Sequence, residues 1–263
     1  MSRTDAEHSA ARVLITRSQP GASVLASALE VAGFACEVAP LVEIERIAAG
    51  VDALHEISDR DVVVFTSVHA VEHAFALVEC ARIRLPTEAA WIAIGTATAK
   101  ALARFGIQAT TPEVETSEGA LSMRALARVD GLRVMIVGGV GGRRALDDAL
   151  RARGATVARA NVYRRRAAAA DRAVLGLRAG SVAAVVVSSV EGGRLLARAW
   201  RESDASSGAA RLEPIADLPL IVPSPRVASA LAALGFRRTI VSEGASAAAV
   251  IAALREARIG GAS

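Results

Sequence analysis

Arg12-Val13-Leu14-Ile15-Thr16-Arg17 decides how this chain is read, because the chain repeats it as Arg133-Val134-Met135-Ile136-Val137-Gly138. Each stretch opens with a short apolar run, then a polar turn and an amphipathic segment. The first series closes on Gly33-Phe34-Ala35-Cys36-Glu37-Val38, the second on Gly154-Ala155-Thr156-Val157. One spacing, 121 residues, separates Ile15 from Ile136 and Gly33 from Gly154. Later, Val62-Val63-Val64-Phe65-Thr66-Ser67 is echoed by Ala184-Val185-Val186-Val187-Ser188-Ser189. Ala101-Leu102-Ala103-Arg104-Phe105-Gly106 is echoed by Ala230-Leu231-Ala232-Ala233-Leu234-Gly235. Self-similarity over half a chain predicts two related lobes, and the cleft between two lobes is a usual place for a ligand.

Periodicity gives the elements. Val13–Ile15 reads as a buried strand, and Val24, Leu25, Ala28, Leu29 and Ala32 fall on one face of a following helix. Gly33 then ends that helix. The same grammar recurs at Val62–Phe65, Trp91–Ile94, Val134–Val137, Ala184–Val187 and Leu220–Val222. These runs are almost continuously apolar, as parallel strands covered on both faces must be. Strand, helix and strand in succession predict right-handed crossovers. The expected fold is α/β: two similar lobes, each a doubly wound parallel sheet flanked by helices. Glu37–Ile44 alternates apolar and polar residues around Pro40, which suits an edge strand, and Ala160–Arg166 holds the equivalent place in the second copy. These two segments read as connections between the lobes. Ala167–Ala170 and Glu202–Ala210 are expected to be solvated, and the tail from Gly260 disordered.

Composition narrows the function. The chain has 263 residues, 52% hydrophobic but only 3% aromatic, so its cores must be built from Val, Leu, Ile and Ala. No apolar run reaches the roughly 18 residues of a membrane span, and the polar N-terminus lacks the apolar stretch of a secretory signal. Cys36 and Cys80 are too few for a disulfide framework and are expected to be reduced core thiols. A cytoplasmic location follows. The net charge is +4, and Lys100 is the only lysine among 31 basic residues. The charge is scattered, without the basic stripe and stacking aromatics that nucleic acid requires. A small anionic ligand remains.

The strand ends show where such a ligand would sit. They are followed by Thr16-Arg17, Thr66-Ser67, Gly95-Thr96, Gly138-Gly139, Ser188-Ser189, and Ser224 with Arg226. Open parallel sheets bind ligands at the carboxyl ends of their strands, where free N–H groups at helix starts attract anions. Two facing lobes would bring these junctions together around a ligand with several carboxylates or phosphates. The alternative at each junction is an ordinary N-cap, worth about 1 kcal/mol; the full set together with Arg17 and Arg226 favours binding.

Three other motifs are weaker. Gly139-Val140-Gly141 resembles a dinucleotide fingerprint, but Arg144 takes the third glycine position and Arg159 stands where an acidic residue belongs. Gly95 to Lys100 lacks the ending of a phosphate loop. His69-Ala70-Val71-Glu72-His73 fits the H-x-x-E-H metalloprotease pattern, yet it starts directly after a buried strand with no helix to supply a third ligand. It is expected to be a solvated first helical turn, with no metal. Tyr163 is the chain's only tyrosine, on a lobe connection beside three arginines. A phenol can donate a hydrogen bond or proton to a departing hydroxyl; its other reading is a half-buried anchor with a wet hydroxyl.

The ordered set resembles uroporphyrinogen-III synthase. It comprises Val-Leu-Ile-Thr-Arg at 13–17, Phe-Thr-Ser at 65–67, Ile-Gly-Thr-Ala-Thr at 94–98, Val-Tyr-Arg-Arg at 162–165, Val-Ser-Ser at 187–189 and Ser-Pro-Arg at 224–226. The likeness runs from about Arg12 to about Arg255. It implies a crossed chain: lobe one from 1–38 plus 167–263, lobe two from 46–160, and connecting strands at 39–45 and 161–166. It also implies a cofactor-independent lyase, a monomer, acting on the linear tetrapyrrole hydroxymethylbilane, which carries acetate and propionate carboxylates on its rings. Ring closure with inversion of ring D and loss of water gives uroporphyrinogen III. By position Tyr163 would assist departure of the hydroxyl. Arg17, Thr66, Ser67, Gly95, Thr96, Ser188, Ser189, Ser224 and Arg226 would bind the substrate. Two positions depart from the family pattern: the second copy has Gly138 where the first has Arg17, and His69 replaces an asparagine or arginine. The competing readings are a non-enzymatic binding protein for anionic metabolites and, on Gly139 and Gly141, a nicotinamide-dependent reductase.

Overall fold

A computed structural model describes residues 12–142, 144–169, 177, 182–204 and 213–259. The polar N-terminus before Arg12, the tail from Gly260 and most of 202–210 lie outside the described residues. The chain forms two compact units, Met1–Glu43 with Arg166–Ser263, and Ile44–Arg165.

The first unit is built on a five-stranded parallel sheet. Its strands are β1 (Arg12–Ile15), β2 (Cys36–Val38), β8 (Val182–Val186), β9 (Leu220–Val222) and β10 (Thr239–Val241), in the order β10-β9-β8-β1-β2. The second sheet holds β3 (Val42–Arg46), β4 (Val62–Phe65), β5 (Ala90–Ala93), β6 (Arg133–Gly139) and β7 (Thr156–Ala167), in the order β3-β7-β6-β4-β5. The pairs β7-β6, β6-β4 and β4-β5 are parallel.

Alternation along these apolar strands feeds a core on each face. Val63, Phe65, Met135 and Val137 enter one cluster; Val62, Val64, Val134 and Ile136 enter the other. In the first unit Leu14, Val185 and Val222 point to one side, and Val13, Ile15, Ala184 and Ile221 to the other. Each such Val, Leu or Ile contributes about 1.5–3 kcal/mol by leaving water. Helices cover both faces of both sheets, the arrangement an apolar parallel strand requires.

Matching the strands by the sequence echo pairs β1 with β6, β2 with β7, β4 with β8 and β5 with β9. The spatial orders then coincide: β9-β8-β1-β2 in one sheet and β5-β4-β6-β7 in the other. Even β10 has a counterpart, reduced to the parallel bridge Ile92–Thr110 beside β5. The echoed glycines end their helices identically. Gly33 has φ +90°, with Gly33 N–H donating to Glu30 O (3.0 Å) and Phe34 N–H to Leu29 O (3.0 Å). Gly154 has φ +85°, with matching bonds to Arg151 O and Leu150 O. Only a residue without Cβ takes that left-handed turn cheaply.

Four expectations need correction. Helix Gly21–Val31 buries Ala22, Leu25, Ala26 and Leu29, while Val24 is 68% exposed; the period holds but the buried stripe is set one position over, by the spacing i, i+3, i+4, i+7. Cys80 is exposed rather than buried, because it lies in the last turn of its helix. Cys36 is half-buried, and burial, then Glu30, pushes its thiol up to about 11. Thr156–Ala167 is one twelve-residue strand where the sequence suggested a short strand and a separate connection.

Candidate functional site

Because the strands are parallel, their carboxyl ends share one edge in each unit. In the second unit that edge carries Thr66 and Ser67 after β4, Gly138 and Gly139 at the end of β6, and Gly95 and Thr96 after β5. Ser67 is the N-cap of helix Val68–Ala81, its Oγ accepting from Ala70 N–H (3.2 Å). The same Oγ lies 3.0 Å from the hydroxyl of Tyr163, which β7 brings alongside. Tyr163 is buried. Its ring lies over Gly139, where an added Cβ would come within 2.6 Å of the ring. His69 meets the ring at 5.8 Å between centroids, edge to face, and His73 at 5.9 Å, tilted.

The other groups at this edge are engaged. Thr66 Oγ1 donates to Val137 O (3.2 Å), tying β4 to β6. Glu115 Oε1 accepts from Thr96 N–H (2.8 Å) and from Thr96 Oγ1, so this chain's own carboxylate sits at the start of helix Thr96–Ala103. Those two bonds hold the Glu115 carboxyl below its usual range. Gly95 leaves the space; a Cβ there would meet Glu115 Oε2 at 2.8 Å. Beside the loop after β6, Arg159 of β7 pairs with buried Asp147 of helix Ala145–Ala152, Nε to Oδ1 at 2.8 Å. The Arg159 guanidinium also lies 3.1 Å from where a Gly142 Cβ would be. The glycine loop is therefore filled by a phenol and a guanidinium rather than left open for a pyrophosphate.

In the first unit the corresponding edge forms a pocket of about 220 Å³ including its open mouth, lined by Arg17, Ser188, Pro223, Ser242 and Gly244 over a floor of Leu25, Val186, Ile221 and Val250. Arg17 is half-buried against Gly21, and Nη1 donates to Ala245 O (3.3 Å). Burial pulls its pKa down. Among the described residues no carboxylate pairs with it. Ser189 caps helix Val190–Asp204 by accepting from Gly192 N–H (3.1 Å). Ser224 occupies the N-cap of helix Pro225–Ala232 without a side-chain cap bond, and Pro225 follows with no N–H to satisfy. Among the described residues Ser188, Ser224 and exposed Arg226 make no side-chain hydrogen bond.

A family model described as uroporphyrinogen-III synthase HemD matches residues 23–252. Uroporphyrinogen-III synthase of Salmonella typhimurium strain LT2 is 33% identical over 195 residues, covering 72% of this chain and 78% of that protein. The Escherichia coli K12 enzyme is 32% identical over the same shares. The chain belongs to the uroporphyrinogen-III synthase family. Its fold matches a mutant uroporphyrinogen III synthase from the extremely thermophilic bacterium Thermus thermophilus (18% identity, TM-score 0.59, 95% of this chain and 98% of that one). It also matches uroporphyrinogen-III synthetase from Helicobacter pylori 26695 (14%, TM-score 0.54, 94% and 99%). Members of this family are cyclising lyases of tetrapyrrole biosynthesis, and the two-lobed α/β architecture read from the sequence is theirs. Among the described residues no helix is long and apolar enough to cross a membrane.

Within this chain the structure separates the hydroxyls that a cap explains from those it does not. Ser67 and Ser189 cap; Thr66 bonds a carbonyl; Thr96 holds Glu115; Ser188 and Ser224 do none of these. His69 and His73 correct an expectation, since the turn they share is packed against Tyr163 rather than solvated. Sequence reading missed Ser242, buried at the end of β10, whose Oγ lies 2.8 Å from Gly244 O. Its signal was present: Thr239-Ile240-Val241 runs into a hydroxyl like the other junctions. Glu115 carried no such signal, because it sits in an irregular loop 19 residues from its partner.

Proposed function

We propose that this chain closes hydroxymethylbilane to uroporphyrinogen III, in the cytoplasm and as a monomer, with Tyr163 as the acid that assists loss of the terminal hydroxyl. The observation that carries the reading is the seat of the chain's only tyrosine: buried, its ring fixed by Gly139 and two imidazoles, its hydroxyl 3.0 Å from Ser67 Oγ at the sheet edge. Arg17 offers a half-buried guanidinium for a substrate carboxylate, with Ser188 in the same pocket and Ser224 and Arg226 on the neighbouring junction. A charge-assisted bond to a carboxylate is short and strong.

The pyrrole nitrogen pushes out the hydroxyl, which takes a proton from Tyr163 and leaves as water. Ring D attacks the resulting azafulvene through its substituted carbon, giving a spiro intermediate that fragments and recloses inverted. The proton lost as the final pyrrole regains aromaticity restores the phenol, so one water is the only by-product. The substrate also cyclises unaided to the wrong isomer, so the main task is geometric, and positioning with fixed dipoles supplies most of the rate.

Incubation with fresh hydroxymethylbilane, followed by oxidation and separation of the porphyrin isomers, tests the reading. Type III is expected, and type I alone would refute it. Tyr163→Phe should slow turnover about 10²-fold, within the range of lost acid catalysis, without abolishing it; an unchanged rate removes Tyr163 from the mechanism.

A further inference from the structure

Helix Val68–Ala81 does more than cover its sheet. Its cap and two of its residues meet one phenol. Ser67, the cap, holds the Tyr163 hydroxyl. His69 and His73, one turn apart on a single face, meet the ring from the helix side, while the Gly139 backbone closes the other. A residue chosen only to fill this space would be an aliphatic side chain, since the surrounding core is Val, Leu, Ala and Phe. Two imidazoles bring titratable groups to the one ring on which the proposed chemistry turns.

We propose that His69 and His73 are positioning residues that hold the Tyr163 ring so that its hydroxyl stays on Ser67 at the carboxyl edge. The proposal rests on the reading of Tyr163 given above. The charges around His73 are Arg46 from β3, His69 and Glu72 from its own helix, and no formal charge on Tyr163 from β7 while the phenol is protonated. Burial first, then Arg46 and His69, push the His73 pKa below its ordinary value, against a smaller pull from Glu72. His69 has Glu72 at 3.9 Å from Nδ1 to support its charge. The charged form of His73 is thus disfavoured, and protonating it forces a cation beside Arg46. Turning toward water relieves that cation and releases the ring.

Three readouts test this. Isotope-labelled tyrosine gives a single ring signal, because Tyr163 is the only tyrosine. That signal should titrate with a midpoint below the ordinary histidine value of about 6.5 and become flat in that range in His73→Phe. kcat should fall along the same acid limb in the wild type, with KM little changed. His73→Ala should lose about 10-fold in kcat, while His73→Phe, which keeps a ring in place, should stay within about twofold of wild type and lose the acid limb. A ring signal indifferent to pH between about 7.5 and 5 would overturn the proposal, as would wild-type kcat in His73→Ala and His69→Ala alike. The NMR titration does not depend on turnover. If Tyr163→Phe is silent while the ring signal still follows His73, it is the catalytic reading of Tyr163 that fails, not the contact.

Discussion

Replacing Gly139 by alanine should damage catalysis through a single atom. Gly139 lies on β6 in register with Tyr163, and Val140 N–H donates to Tyr163 O (2.9 Å) across the same pair. A Cβ built there falls 2.6 Å from Tyr163 Cζ and 2.7 Å from Cε2. Carbon atoms settle at about 3.5–4.0 Å, so the ring must retreat by about 1 Å, toward His69 and His73 and away from its place over the strand. Overpacking of this kind costs about 1–3 kcal/mol of stability. The larger effect falls on turnover, because a shift of about 1 Å in a reacting group costs on the order of 10²-fold. Gly141→Ala is the control. Nothing lies within 4 Å of its Cβ, but its φ is +76°, so it should lose about 1–2 kcal/mol of stability through backbone strain and keep its kcat. Initial rates with isomer separation, beside thermal melts, read both variants. In a Tyr163→Phe background Gly139→Ala should not slow turnover further, since the hydroxyl it displaces is already gone. A folded Gly139→Ala enzyme with wild-type kcat and type III product would refute the placement of Tyr163 in the reaction.

Arg17→Gln should raise KM about 10- to 100-fold with kcat little affected, the equivalent of losing a charge-assisted bond; initial rates across a salt series check this, since the wild-type KM should rise with salt more steeply than that of the variant. Glu115→Ala uncovers Thr96 N–H and Oγ1. If substrate carboxylates use that junction, KM should fall, and an unchanged KM would remove Thr96 from the binding set. Asp147→Asn removes the carboxylate charge facing Arg159 in a site only 18% open at the arginine side chain, so thermal or urea unfolding should show a loss of about 3 kcal/mol, the low end for a broken buried pair. Burial raises the Asp147 pKa, but the hydrogen bond and charge of Arg159 outweigh it, and the net shift is downward. A depressed carboxyl stabilises fully above its unfolded value of about 4 and ceases to as pH falls through its lower folded value. The wild type should therefore lose this contribution in acid, and the variant should show a flatter stability profile there.

The fold was legible because both of its signals are local. A buried parallel strand must be apolar on both faces, so Val62–Phe65 and Ala184–Val187 announce themselves, and Gly33 and Gly154 mark their helix ends by a backbone need that only glycine meets cheaply. Strands that are short and lie at a sheet edge give weaker signals; Thr239–Val241 was missed because it is partly exposed and is defined by its pairing with Leu220–Val222 rather than by a buried apolar run of its own. The candidate site was legible only in its residue types. Sequence placed hydroxyls at the strand ends, but which of them are already engaged depends on partners far along the chain: Ser67 on Tyr163, Thr66 on Val137, Thr96 on Glu115. His69 and His73 were read against a metal template, since nothing in their own segment reveals that β7 lays a phenol across them.

The two copies diverge where it matters, and the divergence has a steric logic. The position that carries Arg17 in the first copy is Gly138 in the second, and the next is Gly139. An arginine at 138 would have to start where Thr66 Oγ1 stands, 2.7 Å from the missing Cβ, with the Arg159 guanidinium at 3.4 Å behind it. Any side chain at 139 would enter the ring of Tyr163. The glycine at 139 is thus the condition for seating the phenol, and the glycine at 138 the condition for seating Thr66 against β6. One copy kept a cation at the end of its first strand and a pocket beside it; the other cleared the same place of side chains and filled it from the neighbouring strand. The same place in the two sheets thus holds a half-buried guanidinium in one unit and, beside it, a buried phenol in the other. Restoring the symmetry of the repeat by Gly138→Arg should therefore cost stability and turnover together rather than add a second carboxylate site.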